Sequence, residues 1–137
     1  MKKLLAIIAL VSLSGCATIQ STIDRFTIAP FDTNEYALVV SLRTLAMQAK
    51  PFCGGEIAPF IHEIQSAALV LKNYSQHLPK NEQSIKPINL VYDMAVELQL
   101  RSRISNRINK TYCELKTQSI ADSAETIQRA IGKRPRP

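Results

Sequence analysis

Apolar residues recur every three or four positions along most of this chain, the period of an amphipathic helix. Tyr36, Val39, Leu42, Leu45, Ala46 and Ala49 form the first stripe. Asp32 is a good N-cap before it, and Glu35 completes a capping-box pattern. Phe31 and Tyr36 fall at the two positions of a hydrophobic staple. Pro51 biases the preceding residue away from helix and ends the segment. Pro51 to Gly55 reads as a turn. A second helix is expected from about Ile57 to His77, with Pro59 tolerated in its first turn and Pro79 ending it. Ile57, Phe60, Ile61, Ile64, Ala68, Leu71 and Leu78 lie on one face of it. Ala67, Leu69, Val70 and Tyr74 broaden that face, which predicts the most buried helix of the set.

A polar loop from Lys80 to Gln83 leads to a third helix, with Ser84 as the expected cap and Pro87 in the first turn. From Ile88 to Ile131 there is neither Gly nor Pro. The stripe is wide at Ile88, Leu90, Val91, Met94, Ala95 and Leu98, then narrows to Ile104, Ile108, Tyr112 and Leu115, and on to Ile120, Ala124, Ile127 and Ile131. A narrow stripe resembles a seam with a single neighbour. Two outcomes follow. Either the third helix runs on as an arm, or it breaks near Asn109 to Glu114 and folds back. An isolated helix of about 18 residues is marginal in water, which favours a fourth helix. Gly132 is a natural stop. Residues 132–137 read as a basic, Pro-rich, disordered tail. The fold class is therefore all-α, a small antiparallel bundle of three to four helices over residues 33–131.

The N-terminus follows a different pattern. Lys2 and Lys3 precede Leu4 to Leu13, ten residues that are apolar except for Ser12. That length suits a signal peptide and falls short of the roughly 20 residues of a membrane-spanning helix. Leu13, Ser14, Gly15 and Cys16 follow. This stretch resembles the lipobox of bacterial lipoproteins at all four positions. The resemblance implies removal of residues 1–15, a diacylglyceryl thioether on the Cys16 sulfur, and a palmitate-type acyl group on its amine. No other cofactor is implied. Each buried CH2 adds about 0.8 kcal/mol to membrane binding, so three chains anchor firmly. Ala17, in place of Asp, implies sorting to the outer membrane in an enteric-type cell, facing the periplasm. Residues 16–32 then form a lipidated tether. Ile19, Ile23 and Phe26 would share one side of a short helix before Pro30. Fully extended, Ala17 to Asp32 reaches about 50 Å at most.

Without its signal the chain has 122 of the 137 residues, enough for one modest core. Fifteen basic residues then face 11 acids, a net +4. Nine basic residues and three acids fall between Arg101 and Pro137, a local +6. Such asymmetry points to an acidic partner. For an exported protein this means an acidic protein face, an anionic lipid surface or lipopolysaccharide phosphate rather than nucleic acid. Arg103, Arg107 and Lys110 share one side of a helical wheel, apart from the Ile104, Ile108, Tyr112 and Leu115 seam. They are the candidate partner-binding residues. Cys53 and Cys113 remain as an even pair in an oxidising compartment, so a disulfide is expected. If the second and third helices are antiparallel, rise per residue brings Cys113 beside Cys53. The first helix then starts near the Lys80 loop, and lipid and disulfide mark opposite ends of the bundle.

Catalytic signatures are poor. His62 and Glu63 have no second histidine in register, and His77 lies fifteen residues on. Asp93 with Glu97, and Glu56 with Glu63, read as solvated helix faces. Cys53, Cys113, His62 and His77 match no zinc spacing, so no metal site is expected. The sequons at Asn73 and Asn109 read as coincidence in a bacterial lipoprotein. The chain is similar in general plan to the pilotin class of short, helical, disulfide-carrying lipoproteins, with no motif shared residue by residue. A non-enzymatic binding or assembly module is the expectation. A phage- or plasmid-type exclusion or lysis lipoprotein is the alternative. A small envelope hydrolase rests only on the isolated carboxylates and His62.

Overall fold

A computed structural model describes residues 28–104 and 108–137. They form four helices: α1 (Thr33–Ala49), α2 (Ala58–Gln76), α3 (Glu82–Ile104) and α4 (Lys110–Gly132), with a single 3-10 turn at Lys50–Phe52. The described residues contain no strand. Each helix packs on its two neighbours in the cycle α1–α2–α3–α4–α1, and the diagonal pairs do not meet. Cross-helix contacts fix the directions. Lys72 Nζ stands 4.2 Å from the Tyr92 ring centroid. The Tyr112 hydroxyl donates to Glu97 at 2.9 Å. Arg43 on α1 and Lys50, just after it, reach Gln128 and Gln118 on α4. Every neighbouring pair is antiparallel, giving an up-down-up-down bundle.

The core follows an alternating spacing of four and three. Buried positions are Glu35, Val39, Leu42, Ala46 and Ala49 on α1, Ile61, Ile64, Ala68, Leu71 and Ser75 on α2, and Ser84, Ile88, Val91, Ala95 and Leu98 on α3. On α4 they are Cys113, Thr117, Ile120, Ala121, Ala124, Ile127 and Ile131. This heptad-like seam is what near-parallel helices of a bundle present to one another. Each helix carries at least one alanine in it, and small side chains let the axes approach closely.

The chain breaks between α3 and α4, so the arm is excluded and the fourth helix is present. Asn109 caps α4, its side chain accepting from Tyr112 N at 3.0 Å. The break also ends the seam inferred across it. Ile104 is 85% exposed and Leu115 65% exposed, because α4 restarts the register at Cys113 and Thr117. Three other expectations need correction. Leu69 and Val70 are exposed on α2, whose buried face is one stripe wide. The α3 helix starts at Glu82, and the Asn81 carbonyl takes the N–H groups of Ser84 and Ile85. Ser84 is therefore buried inside the helix rather than capping it, and Pro87 costs one interior hydrogen bond. The tail does not run free. Phe31 N donates to Pro135 O at 2.8 Å, and Arg136 stands 4.8 Å from the Phe31 ring centroid.

Cys53 and Cys113 form a disulfide, with Cα atoms 5.7 Å apart. Both cysteines are buried. The next residue, Gly54, has φ +93, and a Cβ there would meet the Lys110 methylenes at 3.3 Å. Only glycine fits both the left-handed turn and that approach. The bond closes a loop of 60 residues, for which chain entropy gives about 4 kcal/mol. Replacing both cysteines by alanine is expected to lower unfolding free energy by about that amount. Urea denaturation of the two forms measures it, and an unchanged midpoint would refute the assignment of stability to this bond.

Candidate functional site

The α1 start, the α2–α3 loop and the tail after α4 converge at one end of the bundle. Asp32 Oδ1 accepts from Glu35 N at 2.7 Å, as an N-cap should. Phe31 and Tyr36 rings lie 5.6 Å apart, which places the staple. The Glu35 side chain does not turn back to close a capping box. It points inward, is 0% exposed, and accepts from Arg134 Nη1 at 2.6 Å and Asn81 Nδ2 at 2.7 Å. Arg134 is 7% exposed and also donates to Asn81 Oδ1 and to Ser84 Oγ. Asn81 Nδ2 reaches the Ser75 carbonyl at 3.0 Å. A carboxylate desolvated to this degree requires a cation and further hydrogen bonds, and Glu35 has both.

The four-and-three spacing explains the cluster. Glu35 precedes Val39 by four, Ser75 follows Leu71 by four, Ser84 precedes Ile88 by four, and Arg134 follows Ile131 by three. Helices α1, α2 and α3 therefore each supply one member of a polar layer that ends the apolar core, and the segment after α4 supplies Arg134. Its signal in the sequence was Glu35 standing in register with Val39 and Leu42. The capping reading of that residue concealed it.

The disulfide end is different. Phe52 stacks on Phe60 at 4.4 Å between ring centroids and stays 47% exposed. Leu100 and Ile104 are exposed on the last turns of α3. Arg103 is exposed in the same turns. Lys110 opens α4, pairs with Glu114 at 3.9 Å and lays its stem against Gly54. Arg103 and Lys110 thus occupy this end, but not as one helical strip, because α3 has ended before α4 begins. Arg107 and Cys16 lie outside the described residues, as do residues 1–15 and Ile19, Ile23 and Phe26.

Beside this end, Glu97 accepts from Lys116 Nζ at 2.7 Å and from the Tyr112 hydroxyl at 2.9 Å. Arg101 lies 5.2 Å from the Tyr112 ring centroid. The hydrogen bond from Lys116, then that from Tyr112, holds the Glu97 carboxyl below its ordinary range. Burial, then the bond to Glu97, pushes the Tyr112 phenol up. His62, Glu63, Glu56 and Asp93 are exposed. His77 Nδ1 lies 2.7 Å from the Asn73 carbonyl. Among the described residues no group of three His, Cys, Asp or Glu is placed to hold a metal ion. No described helix is long and apolar enough to cross a membrane.

Comparison with protein-family models, curated proteins and solved structures finds no match to the chain. Arg134→Met is expected to cost about 3–5 kcal/mol, since it strands the Glu35 carboxylate in the core. The Glu35→Leu/Arg134→Met pair is expected to recover most of that loss, and equal destabilisation of single and double variants in urea would contradict it. Lys116→Ala is expected to raise the Glu97 carboxyl toward its ordinary value, read by carboxyl NMR titration. The sign follows from the lowered value. The stability this contact contributes is present above the ordinary glutamate pKa and is lost as pH falls through the Glu97 value.

Proposed function

We propose that this chain is an outer-membrane lipoprotein, anchored through acyl chains on Cys16, whose periplasmic bundle is a non-enzymatic binding or assembly module for another envelope protein. The observation that carries this reading is the grouping of exposed Phe52, Leu100 and Ile104 with Arg103 and Lys110 at the disulfide end. Apolar side chains left in water beside a charged rim are the composition of a docking surface. The cations favour a partner segment whose apolar residues are flanked by acids, and they would steer its approach.

The anchor reading rests on the lipobox at Leu13 to Cys16. The bundle geometry is consistent with it. Residue 28 enters at the Glu35 end, while Phe52 and Ile104 lie at the other. The 17 residues of α1 separate them by about 25 Å at 1.5 Å per residue. An anchor at one end leaves the docking end facing away from the lipid. The disulfide and the Gly54 turn hold the 3-10 turn of Phe52 against the start of α4, so the surface is formed before a partner arrives.

The test is a pull-down of the native lipidated protein from detergent-solubilised envelope. One envelope protein is expected to co-purify. Ile104→Glu is expected to abolish its capture, and Arg103→Glu to weaken it most at low salt. Cys16→Ser is expected to lose the protein from the membrane fraction. Capture that is indifferent to Ile104→Glu would remove the docking surface from consideration.

A further inference from the structure

The first and last helices lie side by side, and a groove of about 310 Å³ opens between them on the outer face. Its floor is Ala121, 3% exposed, in the seam where small side chains bring the two axes together. The walls differ in charge. Arg43 and Lys50 stand on the α1 side, and Asp122 and Glu125 on the α4 side. Met47 lies between the two cations, four residues after Arg43 and three before Lys50, so the three share one helix edge. Its side chain is 56% exposed.

Contacts within the chain leave this face unfinished. Arg43 pairs with Glu125 at 3.0 Å, and the two side chains keep 32% and 29% exposure. Lys50 Nζ donates to Gln118 Oε1 at 2.9 Å, and Gln118 Nε2 donates to Asp122 Oδ1 at 2.7 Å. A neutral amide thus stands between an exposed cation and an exposed acid. Methionine left in water between charged groups is a composition enriched in protein interfaces.

Symmetry selects the occupant. A two-fold axis parallel to the bundle sets α1 of one copy over α4 of a second copy at the same height. The basic wall then meets an acidic one twice. An axis across the bundle would instead set α1 over α1, cation against cation. The parallel axis also keeps residue 28 of both copies at one end. If Cys16 carries lipid, as in the reading above on which this second argument rests, both tethers enter one membrane.

We propose that two copies of this chain pair through the α1–α4 face as a parallel dimer. Lys50 of each copy meets Asp122 of the other, and Met47 of each closes over the Ala121 floor of the other. The two Arg43–Glu125 pairs join into a four-charge network. The 17 residues of α1 span about 25 Å, and two helices are about 20 Å wide, a face of about 500 Å². That is below the roughly 800 Å² per partner of a standard interface. The dimer is therefore weak and screened by salt, and anchoring in one membrane supplies the local concentration it needs.

The experiment is sedimentation equilibrium of the mature lipidated protein in excess density-matched neutral detergent, up to about 1 mM protein. A reversible dimer is expected, weaker at high salt. Lys50→Glu and Asp122→Lys are each expected to weaken it by about tenfold, because symmetry turns two attractive contacts repulsive. An equimolar mixture of the two variants is expected to return to within about threefold of the unaltered chain. In the mixed dimer the introduced acid faces the introduced lysine, and native Lys50 faces native Asp122. Recovery on mixing also reports that both variants are folded, and circular dichroism checks each alone. A mixture no tighter than its components would overturn the proposal, as would an unaltered chain that stays monomeric throughout. Association kept in both variants but lost in Ile104→Glu would place the contact at the disulfide end and overturn it too. Mass analysis of the N-terminal peptide decides lipidation separately. An unmodified Cys16 would remove the anchor, while the charge pattern and the mixing result still decide the dimer.

Discussion

A carboxylate with no access to water cannot be left alone, and Glu35 is such a carboxylate. Its solution is Arg134, 99 residues away in sequence. That pairing governs much of the architecture. It draws the segment after α4 across the end of the bundle, where Pro135 then accepts from Phe31. It recruits Asn81 and so fixes the α2–α3 loop. Replacing such a pair with packed apolar residues is often neutral for stability, so its effect here is specification. Only one register of four helices brings Glu35, Asn81, Ser84 and Arg134 into contact.

The same two helices are joined again at the opposite end. Cys113 precedes Thr117 by four and stands in the α4 seam, while Cys53 follows the 3-10 turn at the end of α1. A covalent bond closes one end and a buried ion pair closes the other. Between them lies a seam rich in alanine, with Ala46 and Ala49 on α1 and Ala121 and Ala124 on α4. First and last helices are thus tied near both ends, and α2 and α3 complete the ring. A cleft opens beside the ion-pair closure, and Phe52 and Ile104 are exposed at the disulfide closure.

Much of this was legible beforehand because the core obeys one repeat. Val39 to Ala49, Ile61 to Leu71 and Ile88 to Leu98 announce their helices by spacing alone, and Cys53 and Cys113 announce the disulfide once the chain is read as exported. The reading failed where polar residues occupy core positions. Glu35 and Ser84 each have a well-known local role at a helix start, and that role masked a tertiary one. Arg134 sits among prolines and cations, a composition that signals disorder unless its partner is known. The α3–α4 break lacks Gly and Pro, so the apolar stripe seemed to run through it. For the same reason the helical wheel puts Arg103 and Lys110 on one face, whereas they reach the same end from two helices.

The span between Glu35 and Arg134 also imposes an order in time. A chain that emerges N-terminus first exposes Glu35 long before Arg134. Until the latter appears, burying the carboxylate is unfavourable, and the Glu35 end of α1 lacks the partner that lets it close. Completion of the fold is thereby coupled to arrival of the segment after α4. Until then the earlier helices lack the pairing that seals the Glu35 end of the bundle.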